Sequence, residues 1–327
     1  MGRHELLDSV VARMGSLYGE SLKFFRRGLE SPSVGEFIRS TRIREPHLDG
    51  IGDQEVTAMV GEESVPTRFS VLSWAGPTAP VLIFHHGSGD CPYHMRIRKI
   101  LGEGLHEGGI GDTQVTVIAT DSPFNRTRKE YYDAVGDLRS FATMLAVSTV
   151  LVESLVAAVR TRAAGGEGGG GAGVSRGGSG DPKGGLAVGG EPRVVVSGIS
   201  LGGWVANLHH AYFDTAGEYR PIFAGAAPDA LFLDSAYAGL ASRRVQENPE
   251  AVTAALNFEE AFRARGAGNV FPLMGRYDQY VRLDRQSGIY EPEKVTVLEK
   301  GHVTGGAANS ELRDFLLQGL GNPVATR

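Results

Sequence analysis

The chain has 327 residues, of which 41% are hydrophobic and 22% charged, so it can bury the core of one large α/β domain without disulfides or a structural metal. Its net charge of −5 excludes the broad basic field with which proteins bind nucleic acid. The single cysteine, Cys91, excludes an intrachain disulfide and any zinc site built from several cysteines. We therefore expect a cytoplasmic protein that contains no metal.

Apolar residues near the N-terminus recur at helical spacing and predict an amphipathic helix. They are Leu6, Val10, Val11, Met14, Leu17 and Leu22. Charged residues interrupt this stretch, unlike the apolar run of a secretory signal. The helix is followed by three basic residues, Lys23, Arg26 and Arg27, which would suit binding to a membrane surface. Acidic residues are mixed into the same stretch, so docking of the helix on the rest of the chain is favoured instead. We expect residues 1–50 to be a helical extension packed on a core formed by 51–327.

Alternating strands and helices fill the remainder of the chain. The predicted strands are 55–60, 67–74, 80–86, 114–120, 193–198, 221–227, 269–275 and 294–299, and the predicted helices are 129–162, 201–213 and 311–320. The first two strands should form a hairpin, and several later ones are nearly continuous apolar runs, as in strands buried on both faces. This alternation predicts a mainly parallel sheet flanked by helices. Polar breaks within 141–159 favour a core helix over a membrane span.

A glycine-rich segment interrupts the alternation at 163–191. Fourteen of the 28 residues from 163 to 190 are glycine, so the segment has too little apolar surface to offset its ordering entropy. It joins the end of a helix to the start of a strand, which places it opposite the edge where parallel sheets bind ligands. It contains no Gly-Lys-Ser/Thr. We interpret it as a flexible insertion rather than a phosphate loop or a domain boundary.

Ser200 is the candidate nucleophile. Gly198-Ile199-Ser200-Leu201-Gly202 fits the G-x-S-x-G pattern and lies directly between a predicted strand and a predicted helix, the context of a nucleophile elbow. The same pattern occurs around Ser175, but without a strand before it or a helix after it. We therefore interpret the Ser175 match as an accident of composition.

A serine nucleophile needs a base and an acid that orients the base. His302 and Asp278 each follow a predicted strand, in the chain order Ser, Asp, His that α/β-hydrolases use. Asp229 and Asp234 follow another strand and are alternative candidates for the acid. His209 and His210 lie in the middle of a predicted helix, where they should pack or face solvent.

The loop at 86–90 is the candidate oxyanion loop. A tetrahedral oxyanion needs about two preorganised N–H donors. One donor should be the amide of Leu201, and the other the amide of Ser88, with Gly89 as the alternative. His85 and His86, at the end of a buried strand, should shape this loop rather than accept a proton.

These motifs resemble the α/β-hydrolase fold superfamily over most of residues 55–320. Within it, the segments GSGDCPYHMRIRK (87–99), DSPFNRTRKEYY (121–132) and FATMLAVSTVLVESL (141–155) are similar to the α/β hydrolase domain-containing protein 18 family. The resemblance implies an α/β-hydrolase domain over 51–327 with a short lid, and a serine hydrolase that uses the triad and oxyanion donors named above. The glycine insertion departs from the family.

Two features bear on the substrate. The connection 229–267 lies where a lid should cover the site, and its apolar residues could line an acyl pocket; they are Phe232, Leu233, Leu240 and Phe258. Arg96, Arg98 and Lys99 begin the helix after the oxyanion loop, where they would attract an anionic substrate group.

The sequence predicts hydrolysis of a small-molecule carboxylic ester through an acyl-enzyme, without a cofactor. A serine peptidase, a thioesterase and a catalytically inactive binding or scaffold protein are the alternatives. The sequence gives no indication of the oligomeric state.

Overall fold

The computed structural model describes residues 2–16, 23–48, 50–165 and 191–321. Twelve strands are present in this part of the chain: β1 Thr41–Ile43, β2 Gly52–Val60, β3 Glu63–Ser73, β4 Val81–His85, β5 Leu105–His106, β6 Gly109–Ile110, β7 Thr113–Gln114, β8 Thr116–Thr120, β9 Val194–Ile199, β10 Glu218–Ile222, β11 Leu273–Gly275 and β12 Thr296–Leu298. Nine of them form one sheet in the order β1-β2-β3-β8-β4-β9-β10-β11-β12, while β5, β6 and β7 form a small separate sheet.

The large sheet is parallel from β8 to β12 and antiparallel at its other edge. Every residue of β4, β8, β9 and β10 is buried. For β4, β8 and β9 this explains the nearly continuous apolar sequences, because helices cover both faces of a parallel sheet. Strand β10 instead buries Glu218 and Arg220, which form an ion pair with each other. The prediction of a mainly parallel sheet is confirmed.

Helices pack on both faces of the sheet. They are α1 Arg3–Ser16, α2 Val34–Ser40, α3 Met95–Leu101, α4 Arg128–Ala134, α5 Leu138–Gly165, α6 Leu201–Tyr212, α7 Asp229–Leu233, α8 Arg243–Glu247, α9 Pro249–Leu256, α10 Glu259–Arg265, α11 Leu283–Gln286, α12 His302–Gly306 and α13 Asn309–Gly319, with 3₁₀ turns at Gly102–Gly104, Ala236–Leu240, Ser287–Ile289 and Pro292–Lys294. The residues of α5 and α6 belong to one core cluster and those of α3 and α13 to the other.

Helix α5 forms the centre of the first core cluster. It is long and apolar enough to cross a membrane, but 83% of its most apolar window is buried inside the protein. It is therefore the core helix that the polar breaks in its sequence predicted.

The structure corrects several predicted boundaries. The single helix predicted at 129–162 is two helices, α4 and α5, with a break between Ala134 and Leu138. The chain segment after α1 packs against this break. A side chain at Gly136 would lie 2.5 Å from the guanidinium of Arg26, and Phe25 N–H donates to the carbonyl of Val135. The strand predicted at 221–227 is β10, which begins at Glu218 and ends at Ile222. The next residue, Phe223, takes a left-handed conformation with φ 50°. The hairpin is longer than predicted, with a two-residue turn that begins at Gly61.

The N-terminal fifty residues contribute more than helices. Strand β1 pairs with β2 and forms the edge of the large sheet, and α2 begins with a capping box from Ser33 and Glu36. Most of the predicted glycine-rich insertion, including Ser175, lies outside the described residues, as do Leu17 and Leu22; residues 163–165 form the end of α5.

Candidate active site

Ser200 occupies the sharp turn between β9 and α6. Its backbone angles of φ 55° and ψ −111° are strained for a residue with a side chain. A Cβ at Gly198 would lie 2.4 Å from the carbonyl oxygen of Gly202, and one at Gly202 would lie 2.1 Å from the carbonyl oxygen of His85. Both glycines of the motif are therefore required by close backbone packing, which is the geometry of a nucleophile elbow.

The structure brings the three residues of the predicted triad together. The Oγ of Ser200 lies 3.1 Å from Nε2 of His302, and Nδ1 of His302 lies 2.7 Å from Oδ2 of Asp278. The other carboxylate oxygen of Asp278 accepts 2.8 Å bonds from the amides of Tyr280 and Val281. These amides fix the carboxylate, so the imidazole is oriented with its second nitrogen towards the serine.

The environment of His302 favours its protonated form. Burial lowers the pKa of the imidazole, but the charge and hydrogen bond of Asp278, with a smaller contribution from Asp8, outweigh burial and raise the pKa above its ordinary value. A more basic imidazole is a better proton acceptor for a serine hydroxyl.

The other candidate acids lie elsewhere. Asp229 accepts hydrogen bonds from Thr253 and Asn257, and burial raises its pKa. Asp234 is 64% exposed and pairs with Arg282 at 3.7 Å. Among the described contacts of His302, the carboxylate at Nδ1 is that of Asp278.

The two helix histidines are buried and hydrogen-bonded. His209 lies between Tyr219 and Glu153, and His210 between Asp214 and the carbonyl of Gly266. Burial lowers the pKa of His209. Both residues pack, which is one of the two outcomes that the sequence predicted.

The candidate oxyanion loop, residues 86–90, lies beside Ser200. Ser88 and Ser200 line the same cavity, whereas Gly89 is not among its lining residues and has φ 68°. Within the described residues, the amides of Ser88 and Leu201 have no protein acceptor. Two free N–H groups beside the serine are what an oxyanion requires, and the hydroxyl of Ser88 is bonded separately to that of Tyr131.

Buried polar side chains form a hydrogen-bonded cluster at the base of this loop. Nδ1 of His86 donates to the carbonyl of Gly87 at 2.5 Å, and Nε2 of His86 lies 3.0 Å from the carboxylate of Asp121. Asp121 also accepts a 2.7 Å bond from Nε of Arg68. Burial drives the pKa of neighbouring His85 down to about 3, so that side chain is neutral. Among the described hydrogen bonds, neither histidine ring is bonded to Ser200. Asp121 is a supporting residue that the sequence did not indicate.

A cavity of about 440 Å³ opens at Ser200 and His302. Much of its wall is apolar or aromatic, formed by Phe24, Phe141, Ile199, Trp204, Leu231, Phe232, Tyr237, Tyr280 and Val303. Of the four apolar residues expected from the lid segment, Phe232 lines the cavity. Leu233 lines a separate polar cavity, while Leu240 and Phe258 pack in the first core cluster.

The predicted basic residues differ in their positions. Arg96 lines the cavity, but its guanidinium holds both carboxylate oxygens of Asp90 and the carbonyl of Gly306 at 3.0–3.1 Å. Arg98 is exposed and does not line the cavity. Arg96 therefore connects the candidate oxyanion loop to the end of α12, and Arg98 lies outside the cavity.

Phe24 is a cavity residue that the sequence did not indicate. Its ring centroid lies 5.2 Å from that of Phe232 and 5.6 Å from that of Tyr237. Its amide donates to Leu240 and its carbonyl accepts from Ser242. Phe24 thus contributes to the cavity wall from a position remote in sequence.

Within the described residues, no group of three or more His, Cys, Asp or Glu side chains could hold a metal ion.

Comparison with known proteins identifies the fold. No family model and no curated protein matches the chain. The structure is similar to 2,6-dihydroxy-pseudo-oxynicotine hydrolase, with a TM-score of 0.51 and 16% identity over 84% of this chain and 70% of that one. An acetyl xylan esterase from Paenibacillus sp. R4 matches with a TM-score of 0.48 and 12% identity over 92% of this chain and 90% of that one.

An acylaminoacyl peptidase from Pyrococcus horikoshii matches 85% of this chain with a TM-score of 0.47 and 12% identity. The chain spans about two fifths of that peptidase, 41% of its length. At these identities the likeness concerns the fold alone. The protein has the α/β-hydrolase fold, as its motifs indicated.

Proposed function

We propose that the protein is a serine hydrolase that cleaves carboxylic esters. The observation that carries this proposal is the hydrogen-bonded chain from the Ser200 hydroxyl through His302 to Asp278. Ser200 and His302 line a largely apolar cavity together with Ser88, and the amides of Ser88 and Leu201 have no protein acceptor among the described residues. A nucleophile, its base, an orienting carboxylate and oxyanion donors are the parts that acyl transfer needs.

The reaction follows from this arrangement. Nε2 of His302 takes the proton of Ser200 as Oγ attacks the ester carbonyl, and the amides of Ser88 and Leu201 stabilise the oxyanion. The imidazolium then protonates the departing alcohol, which leaves an acyl group on Ser200. In the second half, His302 takes a proton from water, the hydroxide attacks the acyl-enzyme, and the proton returns to Ser200 as the acid departs.

The lining of the cavity favours an uncharged, apolar acyl group. Aromatic rings surround the space next to Ser200, and the guanidinium of Arg96 is engaged by Asp90 and Gly306. An ester with a medium-length acyl chain fits this lining better than a charged one. The similarity of residues 87–99, 121–132 and 141–155 to the α/β hydrolase domain-containing protein 18 family supports the same assignment.

Hydrolysis of a matched substrate series tests the proposal. We expect p-nitrophenyl esters from acetate to laurate to be cleaved with a maximum at intermediate length, faster than the thioester and the anilide of the same acid. Ser200→Ala should abolish cleavage, and Ser175→Ala should leave it unchanged. Faster cleavage of the thioester or the anilide would instead identify a thioesterase or a peptidase. Absence of turnover in folded protein would favour the binding-protein alternative.

A further inference from the structure

Helix α1 is oriented with a carboxylate inward and apolar side chains outward. Asp8 has no exposed surface, whereas Leu6, Leu7, Val10 and Val11 are 40–53% exposed. Burial of an unpaired carboxylate is costly, so a buried aspartate must have strong hydrogen-bond partners. The partners of Asp8 therefore show what this helix is attached to.

Those partners are the start of α12, which carries the base of the triad, and the loop after β11, which carries the acid. Oδ2 of Asp8 accepts a 2.7 Å bond from the backbone amide of His302 and a 3.2 Å bond from that of Gln279. Oδ1 accepts a 3.0 Å bond from the amide of Val303. The backbone carbonyl of Asp8 also accepts from the hydroxyl of Tyr280 at 2.9 Å. One residue of α1 thus joins the loop after β11 to the start of α12.

The sequence around His302 is adapted to this contact. A Cβ at Gly301 would lie 2.6 Å from Oδ2 of Asp8, so a larger residue would push the carboxylate away. His4, one turn earlier on α1, has Nδ1 2.9 Å from the hydroxyl of Thr304. The Lys-Gly-His segment therefore needs glycine because Asp8 approaches its backbone closely.

We propose that Asp8 is a positioning residue that holds His302 and the Asp278 loop in the geometry for proton transfer from Ser200. The inference rests on the proposed serine hydrolase function. It makes the N-terminal helix part of the active-site framework. Asp8 does not line the substrate cavity, so it acts through the backbone that carries the triad.

Asp8 also adds negative charge beside the imidazole. Within the described residues, the titratable groups in contact with His302 are Asp278, Asp8 and Tyr280. Arg96 acts on the imidazole through its charge, and His4 binds the hydroxyl of neighbouring Thr304. The charges of Asp278 and Asp8 raise the pKa of His302, and that of Arg96 lowers it. Loss of the Asp8 charge should therefore lower the pKa of His302 as well as loosen its position.

The test compares Asp8→Asn and Asp8→Ala with Glu5→Gln. Glu5 is a carboxylate on the same helix that accepts from the amide of Gly2, so its variant is the matched control. Asparagine keeps the shape and one acceptor oxygen. We expect kcat to fall about tenfold in Asp8→Asn and on the order of 100-fold in Asp8→Ala, with KM unchanged, because small displacements of a catalytic group reduce the rate without altering the cavity.

A second measurement does not depend on turnover. The titration of the His302 ring, followed by NMR, should move to lower pH in Asp8→Asn and stay in place in Glu5→Gln. Wild-type kcat together with a wild-type titration in a folded Asp8→Asn protein would overturn the role of Asp8. If the wild-type protein were inactive on esters but the His302 titration still moved to lower pH in Asp8→Asn, the proposed function would be overturned. The coupling between Asp8 and His302 would then be established independently.

Discussion

The Nε2 atom of His302 lies 3.1 Å from the Oγ of Ser200, although 102 residues separate them in the chain. The two side chains meet because β9 and β12 run parallel in one sheet and end at the same edge. Asp278, in the loop after β11, reaches the far side of the imidazole. The parallel sheet thus explains the assembly of the site.

Asp278→Asn should reduce kcat/KM about 10⁴-fold, because an amide cannot stabilise the imidazolium and favours the wrong tautomer of His302. Steady-state kinetics on the best p-nitrophenyl ester measure the loss. Asp234→Asn is the control, since that carboxylate is exposed and pairs with Arg282. A loss below tenfold in Asp278→Asn would show that another group serves as the acid.

The acid limb of kcat/KM should have its midpoint above pH 6.5. His302 must be neutral to accept the serine proton, and its pKa is raised above the ordinary value of about 6.5. Activity should therefore appear only as the pH rises through this higher pKa. A pH profile measured with a neutral ester tests the sign, and an acid limb centred below 6.5 would contradict the electrostatic account.

Arg96→Gln should lower kcat about tenfold for neutral and anionic esters alike, since it removes the bonds that connect Asp90 to Gly306 and hold the candidate oxyanion loop. Arg98→Gln should change neither rate, because Arg98 is exposed and outside the cavity. Kinetics on a matched pair of neutral and anionic esters distinguish the two. A selective loss of the anionic ester in either variant would instead indicate charge recognition.

Phe24→Ala should move the preferred acyl chain to a longer one, because Phe24 lines the cavity and packs against Phe232. The lost packing should also destabilise the protein by about 3 kcal/mol, measurable by urea unfolding. Phe315→Ala is the control: that ring is 4% exposed in the second core cluster. If both variants lost the same stability and both preferred a longer acyl chain, the role of Phe24 as a wall of the acyl pocket would be contradicted.

Residues whose position depends on local pattern could be predicted from the sequence. Ser200 lies in a motif between a strand and a helix, and His302 and Asp278 each follow a strand, so sheet geometry brings them together. Asp8 and Phe24 could not be predicted, because their roles depend on contacts with segments more than 200 residues away. The N-terminal pattern indicated a helix, but not that its carboxylate faces inward.

Residues of the predicted lid segment show the same limit. Phe232 and Leu233 are adjacent in sequence, yet they line different cavities. Hydrophobicity alone could not distinguish them, because their orientation is fixed by the short helix α7 and the turn that follows it.

Covalent labelling with a fluorophosphonate probe tests the central claim most directly. The account predicts that intact-mass analysis shows one adduct on the wild-type protein, mapped to Ser200. The adduct should be absent in Ser200→Ala, present in Ser175→Ala and formed much more slowly in His302→Ala. Undiminished labelling of Ser200→Ala, or no labelling of the folded wild-type protein, would contradict the assignment of Ser200 as an activated nucleophile.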